Sequence, residues 1–529
     1  MAARLFWLLQ ASAAICCAIP HLSAVNTTSG LYAPHVSEDF PGVASFPNIP
    51  YAENPTGALR FAPPKPAQPA DASKVNHETE LPLGCFQYFP ASYYDTVIFK
   101  GETSYLLQRG DFGNTTEDCL RLSIFAPKST VETAIKTGTS SLGKESSLPV
   151  AVFFHGGGSL FGGVNTPYQL AQSWVERSQS HIVVQIQYRL NIMGQPSPAG
   201  LEGRDNLNFG FLDQRLAVEW VRDNAASFGG DPDRITLWGQ SAGADAVDTY
   251  LFAWTEDPIV SGAIINSGNS LGLAPYLGDA TNHSAFATAA VALGCGDLSP
   301  AAELTCMRQL PASNIKAYMQ TTPGNGGAVD ANLAFNPVVD NVTIFADYAG
   351  LLASSKFASA VPMLATTTLD EGNVIVPYDF NGSATTYELP VELQTIANYF
   401  TNPLQCAVKQ GIQLRTQVGA TTYQGLYGGN FTNISPAPWL GAYHTADLPM
   451  VFGTYAIEGP STDFEASLSA KMQDLYLEFL KDPENGLEKA GWPKATGVYT
   501  DENLMTFGID AKMDQLATAN QFMLGEGCS

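Results

Sequence analysis

An apolar strand-like run that leads into a Gly-x-Ser-x-Gly sequence constrains this chain more than any other feature. Residues 235–238 predict a strand, Gly-Gln-Ser-Ala-Gly follows at 239–243, and residues 242–252 have the composition of a helix. Such a strand–turn–helix is too tight for side chains at its two glycines. It lifts the Ser241 hydroxyl clear of the sheet and aims the first helical N–H groups at whatever that hydroxyl attacks. The motif also arises by chance in a chain with 48 glycines, so the surrounding sequence has to support this interpretation.

Short apolar runs alternate with helical patterns from residue 150 onward. The runs are rich in β-branched and aromatic residues and apolar on both sides, which is typical of buried parallel strands; they cover 150–154, 182–186, 235–238, 263–265 and 361–365. Helical spacing covers residues 212–228 and 464–480, and a Ser/Thr/Lys-rich segment at 128–147 predicts a surface loop. The pattern predicts an α/β fold with a large, mainly parallel central sheet, helices on both faces and long insertions.

The first residues predict an export signal. Arg4 gives a positively charged start, residues 5–18 are apolar but too short to span a bilayer, and small residues follow. We expect a signal peptide over residues 1–24, cut between about residues 18 and 24, and one domain over residues 25–529, because no linker or repeat divides the remainder. A membrane anchor is the alternative, but no second stretch reaches transmembrane length. We therefore expect a secreted, extracellular protein without a stable membrane anchor.

Sequons and cysteines fit an exported chain. Six cysteines remain once Cys16 and Cys17 leave with the signal, and an even number suggests three disulfides among many allowed pairings. Proximity favours Cys85–Cys119 and Cys295–Cys306, which leaves Cys406 and Cys528, a pairing that the sequence does not settle. No Cys/His cluster has the spacing of a zinc site, so we expect no metal. The expected glycosylation sites are Asn26, Asn114, Asn282, Asn341, Asn381, Asn430 and Asn433.

Charge limits the classes of partner. The formal net charge is −24 at pH 7, which repels phosphate backbones and anionic lipid and argues against a nucleic-acid partner. Charged residues make up only 14% of the chain and hydrophobic residues 45%, which indicates a globular protein with a large core.

A glycine run upstream of the serine predicts a second part of a reactive site. The strand-like residues 150–154 lead into His155 and three glycines. Backbone N–H groups of glycines approach a ligand oxygen closely, and such donors stabilise the oxyanion of acyl transfer. We expect Gly157, Gly158 and Ala242 to supply them. A flexible loop is the alternative interpretation, whereas a dinucleotide loop fits poorly because the Gly-x-Gly-x-x-Gly spacing is absent.

The chain resembles the type-B carboxylesterase/lipase family, the cholinesterase-like α/β-hydrolases, and most of all its fungal secreted members. The resemblance runs from about residue 30 to the final helix and is carried by Pro-Asn-Ile-Pro-Tyr-Ala-Glu at 47–53, Leu-Arg-Phe at 59–61, Thr-Glu-Asp-Cys-Leu at 116–120 and residues 206–232. It implies an α/β-hydrolase fold. It also implies buried ion pairs between Arg60 and Glu117 and between Arg189 and Asp213.

The resemblance also implies a catalytic triad in the order serine, acid, histidine. Ser241 takes the first place, Glu371 in Thr-Leu-Asp-Glu-Gly the second, and His444 in Gly-Ala-Tyr-His the third. A serine hydroxyl needs a base at neutral pH, and the imidazole needs a carboxylate that fixes its tautomer. Asp370, one residue before Glu371, is the competing acid. Ser267 matches a family serine that lies close to the site.

Four departures from the family bear on the substrate. Gln240 stands where much of the family has Glu, and the loop 85–119 has no Trp, so neither a carboxylate nor an indole is expected to hold a cationic substrate. Ser159 replaces an aromatic residue and Thr445 replaces a glycine. The first two departures argue against a cholinesterase, whereas those at Ser159 and Thr445 adjust the pocket without removing a reacting group.

The sequence therefore predicts a secreted serine carboxylic ester hydrolase that acts through a Ser-His-Glu triad and an acyl-enzyme, needs no cofactor, and takes a small or medium apolar ester. One alternative is a lipase or sterol esterase whose flap is the aromatic loop 85–119. A second is a non-catalytic binding member of the same fold. The oligomeric state stays open.

Overall fold

A computed structural model describes residues 24–71, 73–87, 114–137, 147–201, 207–321, 335–376, 388–435 and 437–522. The predicted signal peptide, most of the loop 85–119, Asn381 and Cys528 lie outside these residues.

Ten of the strands form one central sheet and the rest form small accessory sheets. The strands are β1 (Val25–Thr27), β2 (Gly30–Tyr32), β3 (Val43–Pro50), β4 (Val75–Asn76), β5 (Gly84–Cys85), β6 (Thr115–Thr116), β7 (Arg121–Pro127), β8 (Leu148–Phe154), β9 (Ile182–Ile186), β10 (Gly230–Gln240), β11 (Gly262–Asn266), β12 (Gly278–Asp279), β13 (Val338–Val339), β14 (Met363–Thr368), β15 (Thr422–Tyr427), β16 (Glu502–Phe507) and β17 (Asp514–Thr518).

The central sheet has mixed pairing in the order β17-β16-β15-β14-β11-β10-β8-β9-β7-β3. Its interior pairs, from β16 through to β9, are parallel. The pairs at the two edges, β16 with β17, β9 with β7 and β7 with β3, are antiparallel. Because parallel strands end at the same edge, the loops that leave β8, β10, β11, β14 and β15 gather on one side of the molecule.

The core lies on both faces of this sheet, because successive side chains of a strand point to opposite sides. In β8, Val150, Val152 and Phe154 join one buried cluster, whereas Ala151 and Phe153 join the other. Helices cover both faces of the sheet, so both sides of each interior strand are buried. This explains why these strands appear in the sequence as uninterrupted apolar runs.

Fourteen α-helices lie in the described residues. They are α1 (Lys128–Thr137), α2 (Gln172–Ser178), α3 (Asn191–Gly194), α4 (Phe209–Asn224), α5 (Ala242–Ala253), α6 (Ser270–Leu273), α7 (Ser284–Ala292), α8 (Pro300–Gln309), α9 (Ala312–Thr321), α10 (Tyr348–Ala353), α11 (Val391–Gln417), α12 (Leu448–Phe452), α13 (Asp463–Lys481) and α14 (Gly486–Lys489). Within the described ranges, none of them combines the length and the apolar character needed to cross a membrane.

The prediction of a surface loop at 128–147 is wrong in its first half. Residues 128–137 form α1, whose Val131 and Ala134 are buried one turn apart while its Ser, Thr and Lys residues face outward. The three apolar residues Val131, Ala134 and Ile135 gave too weak a periodic signal against so many polar ones. Residues 138–146 lie outside the described part of the chain.

Two of the three expected disulfides are seen directly. Cys85 is bonded to Cys119 and Cys295 to Cys306. Cys406 is also disulfide-bonded, but Cys528 lies outside the described residues, so their pairing stays a prediction.

Candidate active site

Ser241 lies on a sharp turn between β10 and α5. Its φ of 56° and ψ of −128° are unusual for a residue with a side chain and cost about 1–3 kcal/mol. A Cβ on Gly239 would lie 2.1 Å from the Gly243 carbonyl oxygen, and one on Gly243 would lie 2.1 Å from the Phe154 oxygen. Both glycines of the motif are therefore required by close backbone approach, and the turn leaves Ser241 partly exposed.

His444 and Glu371 are in direct contact. His444 Nδ1 lies 2.6 Å from Glu371 Oε2. Glu371 is fully buried, and its other carboxylate oxygen accepts hydrogen bonds from Ser267 Oγ at 2.6 Å and Thr368 N at 2.8 Å. Three donors around one buried carboxylate hold it in place, and the carboxylate in turn holds the imidazole with Nδ1 as the protonated nitrogen.

Asp370 is a structural acid. Its Oδ2 accepts a hydrogen bond from Ala442 N at 2.9 Å, and a Cβ on Gly441 would lie 2.1 Å from the same oxygen. Burial raises the pKa of Asp370 to about 6, the Ala442 hydrogen bond opposes this rise, and the neighbouring Glu371 charge adds to it. Asp370 thus shapes the turn that carries His444, while Glu371 makes the contact with the imidazole.

Gln240 approaches the other ring nitrogen of the histidine. Gln240 Nε2 lies 3.1 Å from His444 Nε2, and Gln240 is completely buried. With the proton on Nδ1, the amide donates to the free Nε2 lone pair. Among the described residues, the Ser241 hydroxyl makes no hydrogen bond in this conformation. Catalytic hydrogen bonds of an unliganded enzyme often form only when substrate arrives.

The glycine run leaves backbone donors unused beside Ser241. Gly157 and Gly158 have positive φ values of 110° and 63°, and a Cβ on Gly157 would lie 2.1 Å from the Phe161 carbonyl oxygen. The N–H groups of Gly157, Gly158 and Ala242 donate to no other described residue. Free donors from two converging loops are what a developing oxyanion needs.

His155 supports this glycine loop from below. Its ring stacks on Tyr188 with centroids 4.4 Å apart, and its Nδ1 lies 2.8 Å from the Gly156 carbonyl oxygen. Tyr188 donates its hydroxyl proton to the His155 carbonyl oxygen at 2.5 Å. Burial lowers the pKa of His155 to about 4, so the ring is neutral at physiological pH and Nδ1 is its donor. His155 therefore stabilises the conformation of the glycine loop.

A comparison with protein families settles what kind of protein this is. A model described as the carboxylesterase family matches residues 25–402, well over half of the chain. The chain belongs to the carboxylesterase family. Its resemblance to that family is thereby confirmed, and this carboxylesterase is a carboxylic ester hydrolase with an α/β-hydrolase fold.

Curated relatives agree with this assignment. Secreted lipase 5 of Gibberella zeae is 52% identical over 504 residues, which cover 94% of this chain and 93% of the relative. Chlorogenic acid esterase of Aspergillus niger is 38% identical over 465 residues, covering 87% and 83%. Pyrethroid hydrolase Ces2e of Rattus norvegicus is 32% identical over 328 residues, covering 60% and 53%.

The two expected ion pairs of this carboxylesterase are present. Arg60 binds Glu117 through two hydrogen bonds of 2.6 and 2.7 Å, and Arg189 binds Asp213 through both carboxylate oxygens. Asp213 is fully buried. In the described part of the chain, no group of three or more His, Cys, Asp or Glu residues is arranged to hold a metal ion.

Sequence reasoning missed a polar network beneath the histidine. Asn266 Nδ2 donates to Asp447 Oδ2 at 2.7 Å, to Thr366 Oγ1 and to Tyr476 OH, and Asn266 Oδ1 accepts from Trp238 Nε1. Burial raises the pKa of Asp447 to about 6; the Glu371 charge also raises it, while the Asn266 hydrogen bond and the His444 charge lower it. The only sequence signal was that Asp447 follows His444 by three residues, which does not reveal its partner on β11.

Proposed function

We propose that this carboxylesterase is a secreted serine ester hydrolase with the triad Ser241, His444 and Glu371. The observation that carries the proposal is the 2.6 Å contact between His444 Nδ1 and the buried Glu371 carboxylate, next to a strained serine at the end of β10. Its mainly parallel sheet supports this reading, since it brings the loops after β8, β10, β14 and β15 to one edge.

The geometry supports acyl transfer in two steps. His444 Nε2 exchanges its contact with Gln240 for the Ser241 hydroxyl, takes its proton, and the oxygen attacks the ester carbonyl. The N–H groups of Gly157, Gly158 and Ala242 hold the oxyanion. His444 then passes the proton to the leaving alcohol, and the acyl group stays on Ser241. Water activated by the same imidazole releases the acid and restores the serine.

Glu371 acts on this cycle through the imidazole. Its carboxylate keeps Nδ1 protonated, so that Nε2 is the basic nitrogen, and it stabilises the positive charge that the ring acquires. Ser267 and Thr368 hold the carboxylate through one oxygen, which leaves the other aligned with His444. No step requires a cofactor.

Export is supported by the sequence and by the relatives. The predicted signal peptide, the disulfides and the sequons agree with the name of the secreted lipase of Gibberella zeae. We therefore propose an extracellular enzyme that takes a small or medium apolar ester.

A lipase or sterol esterase is the second candidate, favoured by the same relative. It requires a flap over the site, and most of the loop 85–119 lies outside the described residues. A non-catalytic binding protein fits less well, because the contact between His444 and Glu371 and the unused N–H groups near Ser241 both support catalysis.

Hydrolysis of p-nitrophenyl esters from acetyl to palmitoyl, with Ser241→Ala alongside, tests the proposal. We expect the wild type to cleave short chains fastest and the variant to lose nearly all activity. A maximum at long chains would replace the esterase with a lipase. Equal rates for wild type and variant would remove Ser241 from the mechanism, and no hydrolysis of any ester would favour the binding protein.

A further inference from the structure

The glycine loop that carries two of the proposed oxyanion donors is held only in part by its own hydrogen bonds. The loop connects β8 to a short 3-10 helix at 167–169. The Gly157 carbonyl oxygen accepts hydrogen bonds from Leu160 N at 2.9 Å and from Phe161 N at 3.2 Å, which closes a tight turn with Gly158 exposed on it. The directions of the two glycine N–H groups therefore depend on what holds the return of this turn at Gly162.

The side chain of Gln87 binds both backbone polar groups of Gly162. Gly162 N donates to Gln87 Oε1 at 2.8 Å, and Gln87 Nε2 donates to the Gly162 carbonyl oxygen at 3.1 Å. The same Nε2 donates to the Cys85 carbonyl oxygen at 3.2 Å. Gln87 is only 3% exposed, so water does not compete for these hydrogen bonds. A side-chain amide has the donor and the acceptor that such a two-point contact requires.

Gly162 packs directly against the beginning of the same loop. A Cβ on Gly162 would lie 2.3 Å from His155 Nδ1 and 2.6 Å from the Gly156 carbonyl oxygen, and its φ of 114° is one that glycine adopts easily. These two neighbours come immediately before Gly157 in the chain. A shift of Gly162 is therefore transmitted through close backbone contacts to the Gly157 N–H group, and the hydrogen bonds to Gln87 prevent such a shift.

The backbone that carries Gln87 is anchored independently of the Gln87 side chain. Cys85 forms a disulfide, and Asn191 Nδ2 donates to the Phe86 carbonyl oxygen at 2.9 Å. Asn191 N also donates to the Ser159 carbonyl oxygen at 2.8 Å, so Asn191 holds the middle of the glycine loop against the same backbone segment. Removal of the Gln87 amide therefore releases the return of the loop while its middle and the neighbouring segment stay attached.

We propose that Gln87 is a positioning residue for the oxyanion hole, which fixes Gly162 and thereby the directions of the Gly157 and Gly158 N–H groups. This inference rests on the proposed function, in which these N–H groups hold the oxyanion. Donors stabilise the transition state most when their directions are set before the charge develops, and small misplacements cost much of the rate. A purely structural amide, which only satisfies two buried backbone groups, would affect stability and leave the rate per folded molecule unchanged.

Gln87→Met tests this inference, because methionine has nearly the same length and neither the donor nor the acceptor. We expect kcat for p-nitrophenyl acetate, per serine labelled to completion by a fluorophosphonate, to fall roughly ten- to hundredfold with little change in KM. The inhibition constant of hexyl trifluoromethyl ketone should rise by a similar factor, because addition of the Ser241 oxygen to its carbonyl creates an oxyanion while His444 takes the serine proton. The inhibition constant of the corresponding alcohol, which has no carbonyl, should stay unchanged.

Two further variants complete the experiment. Gln87→Glu has a carboxyl that donates and accepts when protonated but only accepts when ionised, so at acidic pH its kcat should exceed that of Gln87→Met. Gln424→Met is the matched control, because it removes a partly buried amide that binds Asn503 on the far side of the sheet, with three strands between β15 and β8. It should leave kcat and both inhibition constants at their wild-type values.

The possible results separate this inference from the proposed function. Unchanged kcat in Gln87→Met, with or without a lower unfolding temperature, overturns the inference while the esterase stands. An equal rise in the inhibition constants of ketone and alcohol also overturns it, because the loss then concerns binding in general. So does a Gln87→Glu variant that is no more active than Gln87→Met at acidic pH. If the wild type cleaves no ester and Ser241 is not labelled, the proposed function itself fails.

Discussion

At the scale of single residues, two adjacent carboxylates have separate tasks. Glu371 touches His444, and Asp370 holds the backbone of Ala442 instead. We expect Glu371→Gln to lower kcat about a thousandfold to ten-thousandfold with little change in KM, because the amide no longer fixes the imidazole tautomer. Asp370→Asn, which keeps an acceptor oxygen, should stay within a few-fold of wild type. Steady-state kinetics of both variants decides the assignment, and a larger loss in Asp370→Asn would reverse it.

Gln240 is expected to govern the pH range of the reaction. It faces His444 Nε2, while Glu371 contacts the other ring nitrogen and Asp447 lies nearby. Gln240→Glu should hold a proton on the imidazole and move the acid limb of the kcat/KM profile to higher pH, since an opposite charge favours the protonated ring. Gln240→Met, which removes the hydrogen bond without adding charge, is the control. Superimposed acid limbs for wild type and Gln240→Glu would show that the contact is absent in solution.

The sequons differ in their surroundings. Asn282 is exposed, but Asn433 is 9% exposed and its Nδ2, the atom that would carry the glycan, donates to the Tyr455 carbonyl oxygen at 2.7 Å. We expect mass spectrometry of glycopeptides from the secreted protein to find Asn282 occupied and Asn433 bare. Substantial occupancy at Asn433 would mean that this loop folds differently.

At the scale of elements, the sequence was informative where one face or both faces of an element are buried. The predicted strands at 150–154, 182–186, 235–238 and 263–265 lie within β8 to β11, since sheets covered on both sides produce apolar runs. The run at 361–365 was placed too early, because β14 continues into three threonines. The long α11 was missed, since Pro403 lies inside it and interrupts the expected pattern.

The residues of the candidate site also differ in how far the sequence could predict them. Ser241 and Glu371 closely follow β10 and β14, and His444 lies in the long connection after β15, each within a recognisable motif, so the family resemblance could point to them one by one. Asn266 and Asp447 have no local signal, because their role depends on a contact that only the fold brings together. Contacts between distant segments that no family motif marks were therefore the part that could not be predicted.

The network that joins β11, α12 and α13 predicts a pH dependence of stability. The pKa of Asp447 is raised to about 6 in the folded protein, so the native state binds the proton more tightly than the unfolded chain. Stability from this group is present at pH below about 4 and is lost as pH rises through 6. Asp447→Asn resembles the protonated acid. Its free energy of unfolding, relative to that of the wild type, should therefore rise by about 3 kcal/mol between pH 4 and pH 7. Thermal unfolding across that range measures the difference, and parallel curves would contradict the shift.

At the scale of the whole molecule, one buried ion pair joins three distant parts of the chain. Arg189, after β9, binds Asp213 on α4 and donates to the Ala62 carbonyl oxygen. Asp213→Leu leaves the guanidinium buried without its counter-charge, so we expect a loss of roughly 3–5 kcal/mol. Arg189→Met/Asp213→Leu removes both charges and should cost less than either single change, because no charge stays unpaired. Unfolding temperatures of the four proteins form the double-mutant cycle. If the stability losses of the two single variants add up to that of the double variant, Arg189 and Asp213 are not energetically coupled. The protein would then tolerate an unpaired charge in its core.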